Sequence, residues 1–241
     1  MGTERTLWQN YDNSRKGFWK AGNTLTNSLS FSGGNDKGSF RASITHTDNN
    51  WIMPNTGFER LVLSTKGEYK VSDHIKINTS INYSNRKSDN LPSTGYNNHT
   101  ISYFMILTNA NNNINWYKNR WLDESKTQLN SPFSSYLDNP YALVYEVLNS
   151  VNNNTLTGNI SAEIDFTKNL KLMVRYGINA QDEYRELKRP YDLVKYAEGY
   201  FQRQNITSKE INSDFLLSYT SDKRQDFTYN FSVVGNRMST K

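Results

Sequence analysis

Apolar residues in this chain recur at every second position over short stretches, with polar residues between them. From Thr24 to Thr47, Leu25, Leu29 and Phe31 share one side of a first arm, and Phe40, Ala42 and Ile44 one side of a second. Thr26, Ser28, Ser30, Ser39, Arg41, Ser43 and Thr45 take the other side, and Gly33-Gly34-Asn35-Asp36-Lys37-Gly38 supplies the reversal. A period of two is that of a β-strand with one apolar and one polar face. The same period marks a third strand at Leu61, Leu63, Tyr69 and Val71, and a fourth at Ile75, Ile77, Ile81 and Tyr83. Ser72-Asp73-His74 joins these two. A fifth strand holds Leu156, Ile160, Ala162, Ile164 and Phe166, and a sixth holds Leu170, Leu172, Val174, Tyr176 and Ile178. The turn Thr167-Lys168-Asn169 sets Phe166 against Leu170 and Asp165 against Lys171. Ile211, Phe215, Leu217 and Tyr219 form a seventh strand. After a turn at 220–226, Phe227, Tyr229, Phe231 and Val233 form an eighth.

The connections alternate. They run short (33–38), longer (48–58, broken by Pro54 and Gly57), short (72–74), very long (85–154), short (167–169), long (181–204) and short (220–226). Residues 1–23 read as a lead-in loop. The 85–154 excursion is not featureless, since Ile101–Leu107 is apolar and Asn139-Pro140 opens a helix over YALVYEVLN, with Asn as cap and Pro in the first turn. In a meander, this alternation gathers every short turn at one end and every long loop at the other. Outer-membrane barrels carry that asymmetry, with short periplasmic turns and long extracellular loops. The pattern predicts an all-β antiparallel meander of about eight strands over residues 24–241, part of a large transmembrane β-barrel. On that orientation the first strand runs inward and the eighth outward. Further strands are then expected on both sides, although eight alone would suffice for a small barrel.

Composition leaves this picture standing. A hydrophobic content of 35% and a mean hydropathy of −0.81 are low, but a barrel turns only every second residue to lipid. No stretch is long and apolar enough for a transmembrane helix. The absence of Cys excludes a disulfide framework and a thiolate metal site. The net charge of +5 is spread along the chain without a basic block, which argues against a nucleic-acid partner. Met1-Gly2 is followed by no apolar signal segment, so the chain is expected to be either cytosolic or without its natural beginning.

Catalytic chemistry finds little support. Gly33-x4-Gly38-Ser39 has the outline of a phosphate loop but lacks the Lys and the helix that should follow. His46, His74 and His99 are scattered, outside any zinc-ligand spacing. Glu163 and Asp165 share the polar side with Lys171 near, and Asp182-Glu183 lies in a charged stretch, so neither pair suggests acid–base work. No enzyme and no cofactor is expected. The long loop does carry Asn115-Trp116-Tyr117-Lys118-Asn119-Arg120-Trp121. Trp116, Tyr117, Arg120 and Trp121 either stack on and hydrogen-bond a cargo such as a sugar, or form the loop's own small core. Tyr184, Tyr191, Tyr196, Tyr200 and Phe201 pose the same alternatives, and both sets are also candidates to meet a partner protein.

The run Leu29-Ser30-Phe31-Ser32-Gly33-Gly34-Asn35-Asp36-Lys37-Gly38, then Phe40-Arg41-Ala42-Ser43 and Pro54-Asn55-Thr56-Gly57-Phe58-Glu59-Arg60, resembles the start of the barrel in SusC/RagA-type TonB-dependent transporters of Bacteroidetes. Trp8-Gln9 and Asp138-Asn139-Pro140-Tyr141 are similar to the same family. The resemblance implies a Gram-negative outer-membrane location facing lipid, and a large barrel around a plug that would lie outside these residues. It also implies energy from the TonB complex through that plug, a SusD-like surface lipoprotein as partner, and import of oligosaccharide, peptide or another large nutrient. The chain would supply about a third of such a barrel. Two other readings compete: a soluble or secreted β-rich binding module whose apolar faces pack on each other, and a small passive barrel.

Overall fold

The computed structural model describes residues 7–132, 135–222 and 227–241. Eight strands form one sheet in strict sequence order: β1 (Asn23–Asn35), β2 (Gly38–Asn50), β3 (Gly57–Ser72), β4 (Ile75–Ser88), β5 (Leu148–Asp165), β6 (Leu170–Arg189), β7 (Tyr200–Thr220) and β8 (Asn230–Thr240). All pairings are antiparallel, as expected for a meander. The sheet is open, with β1 and β8 each paired on one side only among the described residues.

The apolar sides named from the sequence fall on one face of this sheet wherever register pairs them; Val71 sits at a register shift, and Phe227 and Tyr229 precede β8. Register carries Leu29 to Ile44, Leu63, Tyr83, Leu156 and Ala180 in one row. Closer to the short turns, Ile77, Ala162, Val174 and Phe215 make another. No second layer covers these rows: Phe31 is 60% exposed, Ile160 52% and Val233 60%. A soluble two-layer body would bury them against each other, and the single sheet does not. The opposite face is laced by short polar bonds, with Ser28 to Thr45 at 2.8 Å, Ser64 donating to Asn82 at 2.5 Å and Asn78 donating to Glu163 at 3.0 Å. Ion pairs Lys171–Asp165 (3.3 Å) and Arg175–Asp214 (3.1 Å) stand on it too.

The apolar band has a definite height. On β5 and β6 it runs from the level of Phe166 and Leu170 to that of Leu156 and Ala180. Ten residues at about 3.4 Å each give roughly 34 Å along the strand. With strands tilted by about 35–45°, that projects to roughly 24–28 Å, the height of a barrel's lipid-facing belt. One level higher the same face turns largely polar, through Asn27, His46, Asn85, Asn154, Asp182 and Thr207, with Leu61 the apolar member of the row.

The strands outrun the pattern that announced them. Pairing of β4 continues to Ser88 and of β5 back to Leu148, which shortens the 85–154 excursion to 89–147. The 181–204 connection shrinks further, to 190–199, because β6 reaches Arg189 and β7 starts at Tyr200. Beyond the apolar band polar and charged residues stand on both faces, so the hydrophobic alternation disappears while backbone pairing goes on. β8 is shifted later than its expected start at Phe227, and part of the expected turn at 220–226 lies outside the described residues.

The hydrophobic core sits off the sheet, in the long connections. α1 (Ile101–Leu107) is capped by Thr100, and α2 (Pro140–Tyr145) by Asn139 with Pro140 in its first turn. Phe18, Met53, Ile101, Phe104, Ile114, Tyr117, Tyr141 and Val144 pack in one cluster. Leu129, Ala142, Leu143, Val147 and Leu193 pack in a second. The lead-in thus contributes Phe18, 1% exposed, through a short 3-10 turn at Lys16–Phe18. Lead-in, 51–56 connection and both long loops form one body at the long-loop end of the sheet.

Candidate functional site

Two regions bear on function: the loop body and the polar face of the sheet. In the loop body, Ile114–Tyr117 forms a 3-10 turn that holds Trp116 and Tyr117, two of the four candidate cargo residues. Tyr117 points inward at 3% exposure, edge-on to Phe104 at 5.2 Å, and its hydroxyl accepts from Asn112 Nδ2 at 2.8 Å. Burial pushes that phenol up to about 12. Trp116 is half-buried and meets Tyr11 edge-on at 5.5 Å. Arg120 and Trp121 converge on one carboxylate: Arg120 Nε donates to Glu146 Oε1 at 2.7 Å and Trp121 Nε1 to the same oxygen at 3.3 Å. The Arg120 guanidinium also lies 5.1 Å from the Tyr145 ring centre. Arg120 and Trp121 thus share Glu146, while Tyr117 and Trp116 pack in the cluster around Phe104 and Trp121 against the one around Leu129.

Asn139 is the hub of this body. It is fully buried; its Oδ1 accepts from the N–H of Tyr141 (2.8 Å) and Ala142 (3.1 Å). Its Nδ2 donates to the carbonyls of Tyr117 (3.0 Å) and Asn130 (2.8 Å). One amide thus starts α2 and pins the aromatic segment over it. The neighbouring Asp138 ties the two long loops, accepting the Val194 N–H at 2.9 Å through Oδ1, while Oδ2 has no partner. Burial raises its carboxyl to about 6, with nearby Asp192 adding to the shift and the Val194 bond opposing it. His99 is drawn below its ordinary value by burial first, then by Lys195 and Arg189. It meets Tyr196 edge-on at 5.9 Å.

Among the second aromatic set, Tyr184, Tyr200 and Phe201 lie on paired strands rather than in a loop. Tyr196 and Tyr200 stack on each other at 5.2 Å. On the polar face near the loop end, Trp51 and Phe58 pair at 5.5 Å and Arg86 lies over the Phe58 ring at 5.6 Å. Arg60 stands directly across from Arg86 in register. Sequence reading missed this group. Counting parity from Val62 and Ser84, which face the same way, would have placed it.

No arrangement here suggests a reaction. Among the described residues no group of three or more His, Asp or Glu is placed to hold a metal. Glu163 is engaged by Asn78, Asp165 by Lys171 and Asp182 by Thr207 at 2.9 Å. Glu183 is held by Arg185 and by Asn153 Nδ2 at 2.6 Å.

An open antiparallel meander with an unpartnered apolar belt on one face and a bonded polar face on the other is the architecture of a barrel wall. No family model matches the sequence, and no curated protein does. Solved structures do. The chain is similar to the RagAB peptide importer in its "open-open" state, with a TM-score of 0.69 and 14% identity over 96% of this chain and 27% of that one. It is also similar to the RagAB peptide transporter, with a TM-score of 0.66 and 15% identity over 90% of this chain and 25% of that one. The likeness is one of fold, and the chain spans about a quarter of those proteins' length.

Proposed function

We propose that this chain builds part of the wall of a SusC/RagA-type TonB-dependent importer in a Gram-negative outer membrane. The apolar belt meets lipid and the polar face borders the solute path. The loop body stands outside, where cargo and a SusD-like surface lipoprotein would reach it. Energy from the TonB complex would enter through a plug, and the described residues supply wall and loops only. Because a lipid-exposed sheet edge is not tolerated, β1 and β8 would pair with further strands in that setting. The neighbours' description as peptide importers makes peptide the first cargo to test, with oligosaccharide second. Trp116, Arg120 and Trp121 keep part of their surface open and are proposed as cargo contacts, with Tyr117 supporting them from beneath.

The observation that carries this reading is the belt itself: large apolar side chains in register across the sheet, uncovered, and roughly as tall as a bilayer core. A contiguous exposed apolar surface of this kind marks an interaction face, and its height supports lipid as what it meets. The protein has no Cys, so single-Cys variants report one site each. In the intact protein reconstituted into vesicles, a fluorophore on Ile160→Cys is expected to be quenched by a lipid-borne quencher. One on adjacent Ser161→Cys should escape it and respond to an aqueous quencher instead. Equal behaviour of the two sites would sink the reading.

A further inference from the structure

β3 and β4 set Arg60 opposite Arg86 on the polar face. Directly opposed residues have Cβ atoms about 4.5–5.5 Å apart, and like charges there weaken strand pairing. Both side chains are exposed, and among the described residues neither forms an ion pair. Their neighbours in the row, Thr47 and Asn153, are neutral. The nearest carboxylate along the row is Glu183, two strands on, or about 10 Å from Arg86. It is already held by Asn153, Gln181 and Arg185. Arg86 is steadied over the Phe58 ring, and no ion pair involves it among the described residues. Lower on the same face Arg41 stands opposite Lys66, again exposed and without an ion pair among the described residues.

We propose that Arg60 and Arg86 form an oxyanion site that receives a carboxylate or phosphate group on the solute travelling along the polar face. Two arginines directly opposed in register, with no counter-ion among the described residues, match a planar or tetrahedral oxyanion by charge and by bidentate capacity. Trp51 and Phe58 flank the site and offer apolar surface to the rest of the solute. Arg41 and Lys66 continue the same charge further down. The inference deepens the importer reading and rests on the polar face being a solute path.

The test titrates the intact protein in detergent with a Glu-rich peptide, its Gln counterpart and a phosphoserine peptide. Wild type is expected to bind the Glu-rich or the phosphoserine peptide at least tenfold more tightly than the Gln peptide. Whichever peptide shows the preference identifies the oxyanion. In the double variant Arg60→Gln/Arg86→Gln that preference should vanish while the Gln peptide binds as before. The double variant Arg60→Lys/Arg86→Lys should retain part of it. A wild type without the preference, or a preference intact in the Gln variant, overturns the site. The Ile160 and Ser161 labels on the same preparations keep the two ideas apart: correct lipid exposure with no charge preference discards the site alone.

Discussion

At the scale of single residues, the loop body depends on two adjacent polar side chains that the sequence reveals unequally. Asn139 before Pro140 is legible as a helix cap, and it caps α2. Its second role, donating to Tyr117 and Asn130, needs the folded loop and has no sequence signal. Asn139→Ala would remove the cap and leave buried carbonyls without a donor, a loss of about 3 kcal/mol from local stability. Amide exchange at Tyr141 and Ala142 should accelerate on that substitution, while exchange in β5 below Leu156 stays unchanged. Asp138 makes a pH prediction. Its folded value of about 6 lies above the ordinary 3.8, so the folded loop binds this proton more tightly than the unfolded chain. The stabilisation is therefore present in full below the ordinary carboxylate range and is lost as pH rises through it to about 6. The swing is on the order of 3 kcal/mol. Asp138→Asn keeps the acceptor for Val194 and removes the charge, so the variant's loop should melt no lower at pH 7.5 than at pH 5, with His99, whose value burial lowers, adding stability as pH rises. Wild type should melt lower at the higher pH.

At the scale of elements, period-two alternation located all eight strands but only within one zone of each. From Leu156 to Phe166 and from Leu170 to Ile178 one face is apolar, and pattern and strand coincide. From Asp182 to Arg189 and from Tyr200 to Thr207 the strands continue with charge on both faces. Arg203 to Glu186 at 2.9 Å and Thr207 to Asp182 at 2.9 Å join the strands there. Composition alone made that hairpin look like a loop, because hydropathy reports the surrounding medium rather than the backbone. The same boundary predicts a depth-dependent cost. Ile160 and Asn205 lie on the same face, inside the belt and above it. Ile160→Arg should destabilise the lipid-inserted protein by about 2–4 kcal/mol, and Asn205→Arg by less than about 1 kcal/mol. Denaturant titration in lipid measures both, and equal costs would mean that the belt does not mark the hydrocarbon zone.

For the molecule as a whole, the sorting of connections was legible and its consequence was not. Short turns such as Asp36-Lys37, closed by Asn35 Oδ1 accepting from Lys37 N at 2.9 Å and Gly38 N at 3.1 Å, occupy one end. At the other end the loops bury a core of their own, which the sheet, with one face greasy and the other wet, does not provide. Phe18 joins one of its clusters and Leu193 the other, from segments well over half the chain apart, a long-range packing no local pattern encodes. In the proposed outer-membrane setting this polarity has a cellular consequence, because only the loop end should be reachable from outside. Glu124 is exposed in the long loop and Asp36 in the first turn. In whole cells making the intact protein, an impermeant thiol reagent should label Glu124→Cys at once. It should reach Asp36→Cys only after the outer membrane is permeabilised. The reverse order would invert the orientation, putting the Trp116–Trp121 segment on the side where no extracellular cargo arrives. Labelling of both sites without permeabilisation would instead mean that the belt does not hold this chain in a membrane.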